Sequence, residues 1–299
     1  MIPIHIPILK EKIGEYFSQI SSDKKVILDG TAGEGGHSEY FLETFPESRV
    51  ILVDRDETML ERAIQRLEPY SSRIHPVLKN FSELNEADLK IEGSDGPDGI
   101  LLDFGISTYH LKSSGRGFSF QSEEELDMRL DSSSLSAFTI LNKYKAEQLL
   151  DIFRKYGEEK WSTKIVPKII EERRKNPIRT TMELAKLIER VIPRKFWPAK
   201  VHPSFRIFQA LRIESNGELK HIEKAIPNLW NHLSPGGVFA CLSFHSLEDR
   251  IVKNHFRDLA REDLGILMTK KPISPEESEI DFNPASRSAK LRAVQKKSR

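Results

Sequence analysis

The chain has only one cysteine, Cys241, which excludes an internal disulfide and fits a reducing compartment. Cys241 lies in the apolar run Val238-Phe239-Ala240-Cys241-Leu242, the setting of a small core residue and not of a nucleophile. Long apolar runs are also missing: nothing approaches the roughly twenty residues of a membrane-spanning helix. The amino terminus lacks the basic start and long apolar core of a secretory leader, so a cytoplasmic location is expected. Metal-ligand spacing is absent as well. Nine histidines and the lone cysteine form no close pattern, and no H-E-x-x-H occurs, so no zinc site is expected. Excess charge is almost nil, at +1 over 299 residues, so any surface for nucleic acid must come from uneven placement of charge.

Two nucleotide-loop signatures are missing too. The first glycine cluster, Asp29-Gly30-Thr31-Ala32-Gly33-Glu34-Gly35-Gly36-His37-Ser38, reads G-x-x-G-x-G-G. It is neither the G-x-G-x-x-G of dinucleotide enzymes nor a loop ending in Gly-Lys-Ser/Thr, which argues against a dehydrogenase and a P-loop enzyme. What the cluster does offer is a strand, Val26-Ile27-Leu28, that ends in an acid and enters a turn where no Cβ blocks the backbone. Such a turn admits a nucleotide-like cofactor. The next apolar run, Val50-Ile51-Leu52-Val53, ends in Asp54, where a carboxylate can accept ribose hydroxyls. The spacing is similar to the first motif of class I S-adenosylmethionine-dependent methyltransferases.

Strand-like runs recur at 74–78 and 99–102, with helical spacing between them, for example Met59, Leu60, Ala63, Ile64 and Leu67. Alternation of this kind predicts an α/β fold with an open, mostly parallel sheet. Its ligand crevice would lie at the carboxyl ends of the strands, beside Gly33, Asp54 and Asp103. The alternation stops for about a hundred residues after Asp103, too long for a loop. Helical spacing fills the stretch from Ala146 to about Val201, and strand character returns at Val238. The expected organisation is a core split by an all-helical insertion: core at 1–108, insertion at 109–203, core again at 204–299. Between Arg154 and Arg206 stand fifteen Lys or Arg against six Glu and no Asp. The run Glu171-Glu172-Arg173-Arg174-Lys175 reads as a solvated helix face or as a phosphate-binding surface. The last sixteen residues carry six cations and no acid, and suit a basic tail or a closing strand.

Three further motifs carry chemistry: Asp98-Gly-Ile-Leu-Leu-Asp103-Phe-Gly-Ile-Ser107; Gly115-Arg-Gly-Phe-Ser-Phe120 with Leu126-Asp-Met-Arg129; and Ser243-Phe-His-Ser-Leu-Glu-Asp-Arg250. Together with His5-Ile-Pro-Ile-Leu9, Tyr156-Gly-Glu-Glu159, His202-Pro203 and Phe208-Gln-Ala-Leu-Arg-Ile213, they closely resemble the family of ribosomal RNA small subunit methyltransferase H, in order from His5 to Arg292.

The resemblance implies a class I, Rossmann-like methyltransferase with a helical insert that helps to recognise RNA. It implies transfer of a methyl group from S-adenosylmethionine to N4 of a cytidine in the decoding region of 16S ribosomal RNA; the RNA is expected within the assembled small subunit, with naked RNA left open as substrate. Its cofactor positions fall on Gly35, Gly36, His37, Asp54, Phe81, Asp103 and His110, to which the loop reading adds Gly33. The family usually has Gln at His110 and Ser at Thr108, and Phe205 is a further departure.

For the chemistry, Asp103 and Ser107 are candidates to orient the acceptor amine. His245 is a candidate either as general base or as a residue that orients a loop. Arg116, Arg129, Arg173, Arg174, Lys175, Arg206, Arg287 and Arg292 are candidates for gripping RNA, although Arg129 can instead pair with Asp127 or Asp131. A homodimer is compatible with the sequence. The alternative to an enzyme is a ribosome-assembly factor that binds RNA and cofactor without catalysis.

Overall fold

In chain order, α1 (Lys10–Phe17), β1 (Val26–Asp29), α2 (Gly36–Thr44), β2 (Arg49–Asp54), α3 (Glu57–Arg66), β3 (Ile74–Leu78), α4 (Glu86–Leu89) and β4 (Gly99–Asp103) alternate as the apolar runs predict. This computed structural model describes residues 6–132, 134–199 and 201–298; His5, the first residue of one motif, lies outside them, as does Arg299. The helices α5 (Thr108–Lys112), α6 (Ala137–Lys143), α7 (Ala146–Lys155), α8 (Ser162–Lys175), α9 (Thr181–Val191) and α10 (Phe205–Asn216) follow. The chain then returns through α11 (Glu218–His232), β5 (Val238–Ser243), α12 (Ser246–Arg261), β6 (Gly265–Leu267), α13 (Glu277–Phe282) and β7 (Lys290–Lys296).

The seven strands form one sheet in the order β3-β2-β1-β4-β5-β7-β6. The first five strands in that order are mutually parallel, and β7 runs antiparallel to both β5 and β6. This is the doubly wound, mostly parallel sheet of class I methyltransferases. The central strands read as unbroken apolar runs because both faces are covered. Ile27, Val50, Leu52 and Leu101 pack with α1 and α2 on one face. Val26, Leu28, Ile51 and Leu102 pack with α11 and α12 on the other. Strand order reverses between β1 and β4, and that switch point opens a crevice at their carboxyl ends.

Two compact units result, Met1–Gly105 with Leu219–Arg299, and Ile106–Glu218. The second unit runs past the boundary at 203 expected from sequence, because α10 packs against α6 and α7. It is also tied to the loop that precedes α6. The buried Asn216 amide donates to Met128 O at 2.8 Å, and its Oδ1 accepts from Leu130 N at 2.9 Å. Among its described residues the regular elements are helices, with one isolated bridge between Glu125 and Thr180. The basic carboxyl-terminal stretch is mostly not a tail: residues 290–296 are β7, inserted between two other strands. No helix among the described residues is long and apolar enough to cross a membrane. Cys241 is buried on β5, where desolvation pushes its thiol pKa up.

Candidate functional site

The ends of β1, β2 and β4 converge through the glycine loop. Gly33 adopts φ +54°, and a Cβ there would meet nothing closer than 3.9 Å, so this stretch of backbone faces open space. Gly35 has a different task. At φ +79° it begins α2 and packs on Ala63, which a Cβ would approach to 3.3 Å. Gly30 lies against Leu102, where a Cβ would stand 2.4 Å from Cδ2. Gly36 opens α2 directly ahead of His37. Asp54 accepts N–H bonds from Gly33 and Asp56, both at 2.9 Å, which fixes its carboxylate beside the loop.

At the end of β4 the backbone N–H of Asp103 donates to Thr31 Oγ1 at 2.6 Å, locking this acid to the loop. The His37 imidazole, 6% exposed, faces the Asp103 carboxylate, 14% exposed, with Nε2 3.5 Å from Oδ2. The pair lacks the alignment of a formed hydrogen bond. Among the described residues, His37 Nδ1, His37 Nε2 and Asp103 Oδ1 are buried without a hydrogen-bond partner. Each such atom costs about 1–3 kcal/mol unless something completes it, so a cluster of three points to a missing polar group. Behind them lies Asp29, 1% exposed, which accepts from Ser38 Oγ at 2.7 Å and from Thr31 N at 3.3 Å. Burial raises its pKa to about 6 against the opposing pull of Ser38 and His37, and the nearby Asp103 adds to the rise. Sequence reasoning missed Thr31, Ser38 and the ionisation of Asp29. A strand-terminal acid followed by hydroxyl residues was the available signal.

The remaining candidates divide. Phe81 sits beside Gly30, its ring 6.0 Å from that of Phe104. His245 is the N-cap of α12: Nδ1 accepts from Glu248 N at 3.4 Å, and the buried Glu248 carboxylate accepts from Phe244 N and His245 N. Its Nε2 lies 3.0 Å from Glu248 Oε1 but out of hydrogen-bond line. These contacts suit the loop-orienting alternative. In the second unit, Ser107 caps α5, and its N–H donates to His110 Nδ1 at 3.2 Å. His110 therefore occupies the third helical position of a capping box, where Glu or Gln normally accepts the cap N–H. His110 Nδ1 thus takes the accepting task that a Gln side-chain oxygen performs in such a box. Phe205, the other departure, is exposed at the start of α10.

The cationic candidates are corrected in part. Arg292 is 8% exposed and holds Asp249 at 2.7 and 3.2 Å, so it ties β7 to α12 and is withdrawn as an RNA contact. Arg173 donates to Leu141 O and Tyr144 O, both at 2.6 Å, and caps the end of α6. Arg129 pairs with Asp127, and Arg206 Nη1 donates to Glu158 O at 3.0 Å. Arg116 Nη1 reaches Arg129 O at 3.4 Å. Arg174, Lys175 and Arg287 are exposed, Lys175 lying 3.5 Å from Glu171.

Comparison with known proteins identifies the family. Residues 3–297 match the model of the MraW methylase family. A protein of Leptospira interrogans named ribosomal RNA small subunit methyltransferase H is 55% identical over 298 residues, covering 98% of this chain and 89% of its own. One of the same name from Sulfurihydrogenibium is 43% identical over 289 residues, covering 96% and 97%. Among solved structures, an rRNA methylase from Streptococcus thermophilus aligns with 100% of this chain and 99% of its own, at TM-score 0.45 and 11% identity. The sequence matches span both units from end to end, and the chain belongs to the MraW methylase family.

Proposed function

We propose that this protein transfers a methyl group from S-adenosylmethionine to the exocyclic N4 of a cytidine in the decoding region of small-subunit ribosomal RNA, acting in the cytoplasm on the assembled subunit. The observation that carries the reading is the strand-end cluster. An open glycine turn, a ribose-type acid at Asp54 and the unsatisfied Asp103–His37 pair stand together at the switch point of the sheet. The names of the relatives supply the RNA, and the motif resemblance supplies the atom.

The residues fit the cofactor. Gly33 leaves backbone exposed, and the main chain of Gly35, Gly36 and His37 begins α2, an arrangement suited to a polar ligand. In this reading Asp54 accepts the ribose hydroxyls and Phe81 stacks on the adenine; the motif resemblance names His110 as a further cofactor residue. The bound cofactor supplies an electrophilic methyl group.

The protein must do the rest. A cytosine amine is a weak nucleophile because its lone pair is delocalised into the ring. An acceptor oxygen on one N–H weakens that conjugation and aims the nitrogen. Asp103 Oδ1, buried and without a hydrogen-bond partner among the described residues, fits that task, and Ser107 is the other candidate that the sequence offers for it. Holding nitrogen about 3 to 3.5 Å from the methyl carbon removes most of the orientational freedom of the encounter. His245 shapes the α12 loop and stays outside the chemistry. A base leaves its stack at a cost of a few kcal/mol, which phosphate contacts from Arg174, Lys175, Arg116 and Arg287 offset.

Asp54→Ala tests the cofactor assignment. Calorimetry with S-adenosylmethionine should show affinity reduced about tenfold or more, the scale of a lost charge-assisted hydrogen bond. Unchanged affinity would remove Asp54 from the ribose.

A further inference from the structure

The proposed reaction releases a proton, and one buried imidazole stands next to the group that must take it. As the N4 lone pair forms the new bond to the methyl carbon, the C–S bonding pair stays with sulfur, and N4 sheds one of its two protons. We propose that this proton passes to the Asp103 carboxylate and on to His37 Nε2, so that His37 is a positioning residue that acts through Asp103 as the proton store of the site. The inference rests on the methyltransferase reading above.

Three observations carry it. Nε2 of His37 and Oδ2 of Asp103 face each other at 3.5 Å, close enough for a small rotation to complete the bond. Both ring nitrogens are buried and have no hydrogen-bond partner among the described residues, so the imidazole is not held by another structural contact. The third ionisable member, Asp29, is bound to Ser38 and Thr31 and flanks the pair without competing for Nε2. Thr31 Oγ1 accepts from the backbone N–H of Asp103, which ties the end of β4 to the loop that leads into His37. His37 also packs on Phe41, ring centroids 6.2 Å apart. An imidazole in that position takes the proton from Asp103 and frees its carboxylate for the next acceptor.

The test has two arms. In the first, the ring nitrogens of 15N-labelled His37 are observed in the intact protein without cofactor or RNA, with His37→Asn supplying the assignment. Asp103→Asn should shift both ring resonances, because the facing carboxylate selects the tautomer. In the second, His37→Gln should slow single-turnover methylation of unmodified small subunits by about 100-fold, the usual scale of a lost acid–base group. The loss of rate should exceed any loss of calorimetric affinity for S-adenosylmethionine measured on the same variant. An active wild-type enzyme whose His37 resonances ignore Asp103→Asn, or whose His37→Gln rate falls only in step with cofactor affinity, overturns the proton store alone. A wild-type protein that makes no N4-methylcytidine overturns the functional reading, and the proton store with it.

Discussion

Asp29 carries an ionisation that the fold opposes. Its pKa in the folded chain lies near 6, raised from 3.8 chiefly by burial. A carboxyl group with a raised folded-state pKa stabilises most when protonated, below the unfolded value. That contribution is lost as pH rises through 6. The shift of about two units corresponds to about 3 kcal/mol. Asp29→Asn should remove the dependence: in denaturant titrations the wild type loses about 3 kcal/mol relative to the variant between pH 3 and pH 7. Parallel stability profiles would show that burial does not disfavour the charge. The identities of Gly33, Asp54 and Asp103 were legible in the sequence because each ends or follows an apolar run, and the local pattern fixes the turn. The partners of His245 and Arg292 were not. Glu248 does follow His245 within one helical turn, but the capping geometry depends on where α12 begins. The Arg292–Asp249 pair needs β7 placed beside α12, which no local pattern records.

At the scale of elements, α8 shows how one basic run divides between a packing contact and an exposed face. Arg173 points back to the last turn of α6 and accepts its place among two carbonyls, with burial lowering its pKa. Arg174 and Lys175 are exposed. Arg173→Ala leaves those carbonyls without their donor and should lower stability by about 2 kcal/mol, read from thermal or denaturant unfolding. The double variant Arg174→Glu, Lys175→Glu should leave unfolding nearly unchanged. It should weaken binding to ribosomal RNA and flatten the dependence of affinity on salt. The reverse assignment, with Arg173→Ala neutral or the double variant without effect on the salt slope, would make the run a solvated face. Helical spacing revealed α8 itself, but it does not distinguish a cation that caps a neighbour from one that meets solvent, since that depends on how α6 and α8 pack.

At the scale of the molecule, the parallel core was legible because strands buried on both faces are written as continuous apolar runs. The closing antiparallel strand was harder: Lys290–Lys296 alternates charge with apolar residues, and Arg292 finds its counter-ion only after folding. The limits of the second unit were likewise set by packing, with α10 joining α6 and α7 although its sequence carries no boundary signal. Near-neutral net charge conceals a marked local excess of Lys and Arg within this second unit, and that uneven placement is the basis for proposing that it meets RNA. The central claim is the reaction itself. The most direct measurement incubates the purified protein with S-adenosylmethionine carrying a labelled methyl group and unmodified small ribosomal subunits, followed by nucleoside mass spectrometry. Label in N4-methylcytidine is the predicted result. Absence of label on both subunits and free RNA, with cofactor binding confirmed by calorimetry, would contradict it and leave a cofactor-binding assembly factor as the better description.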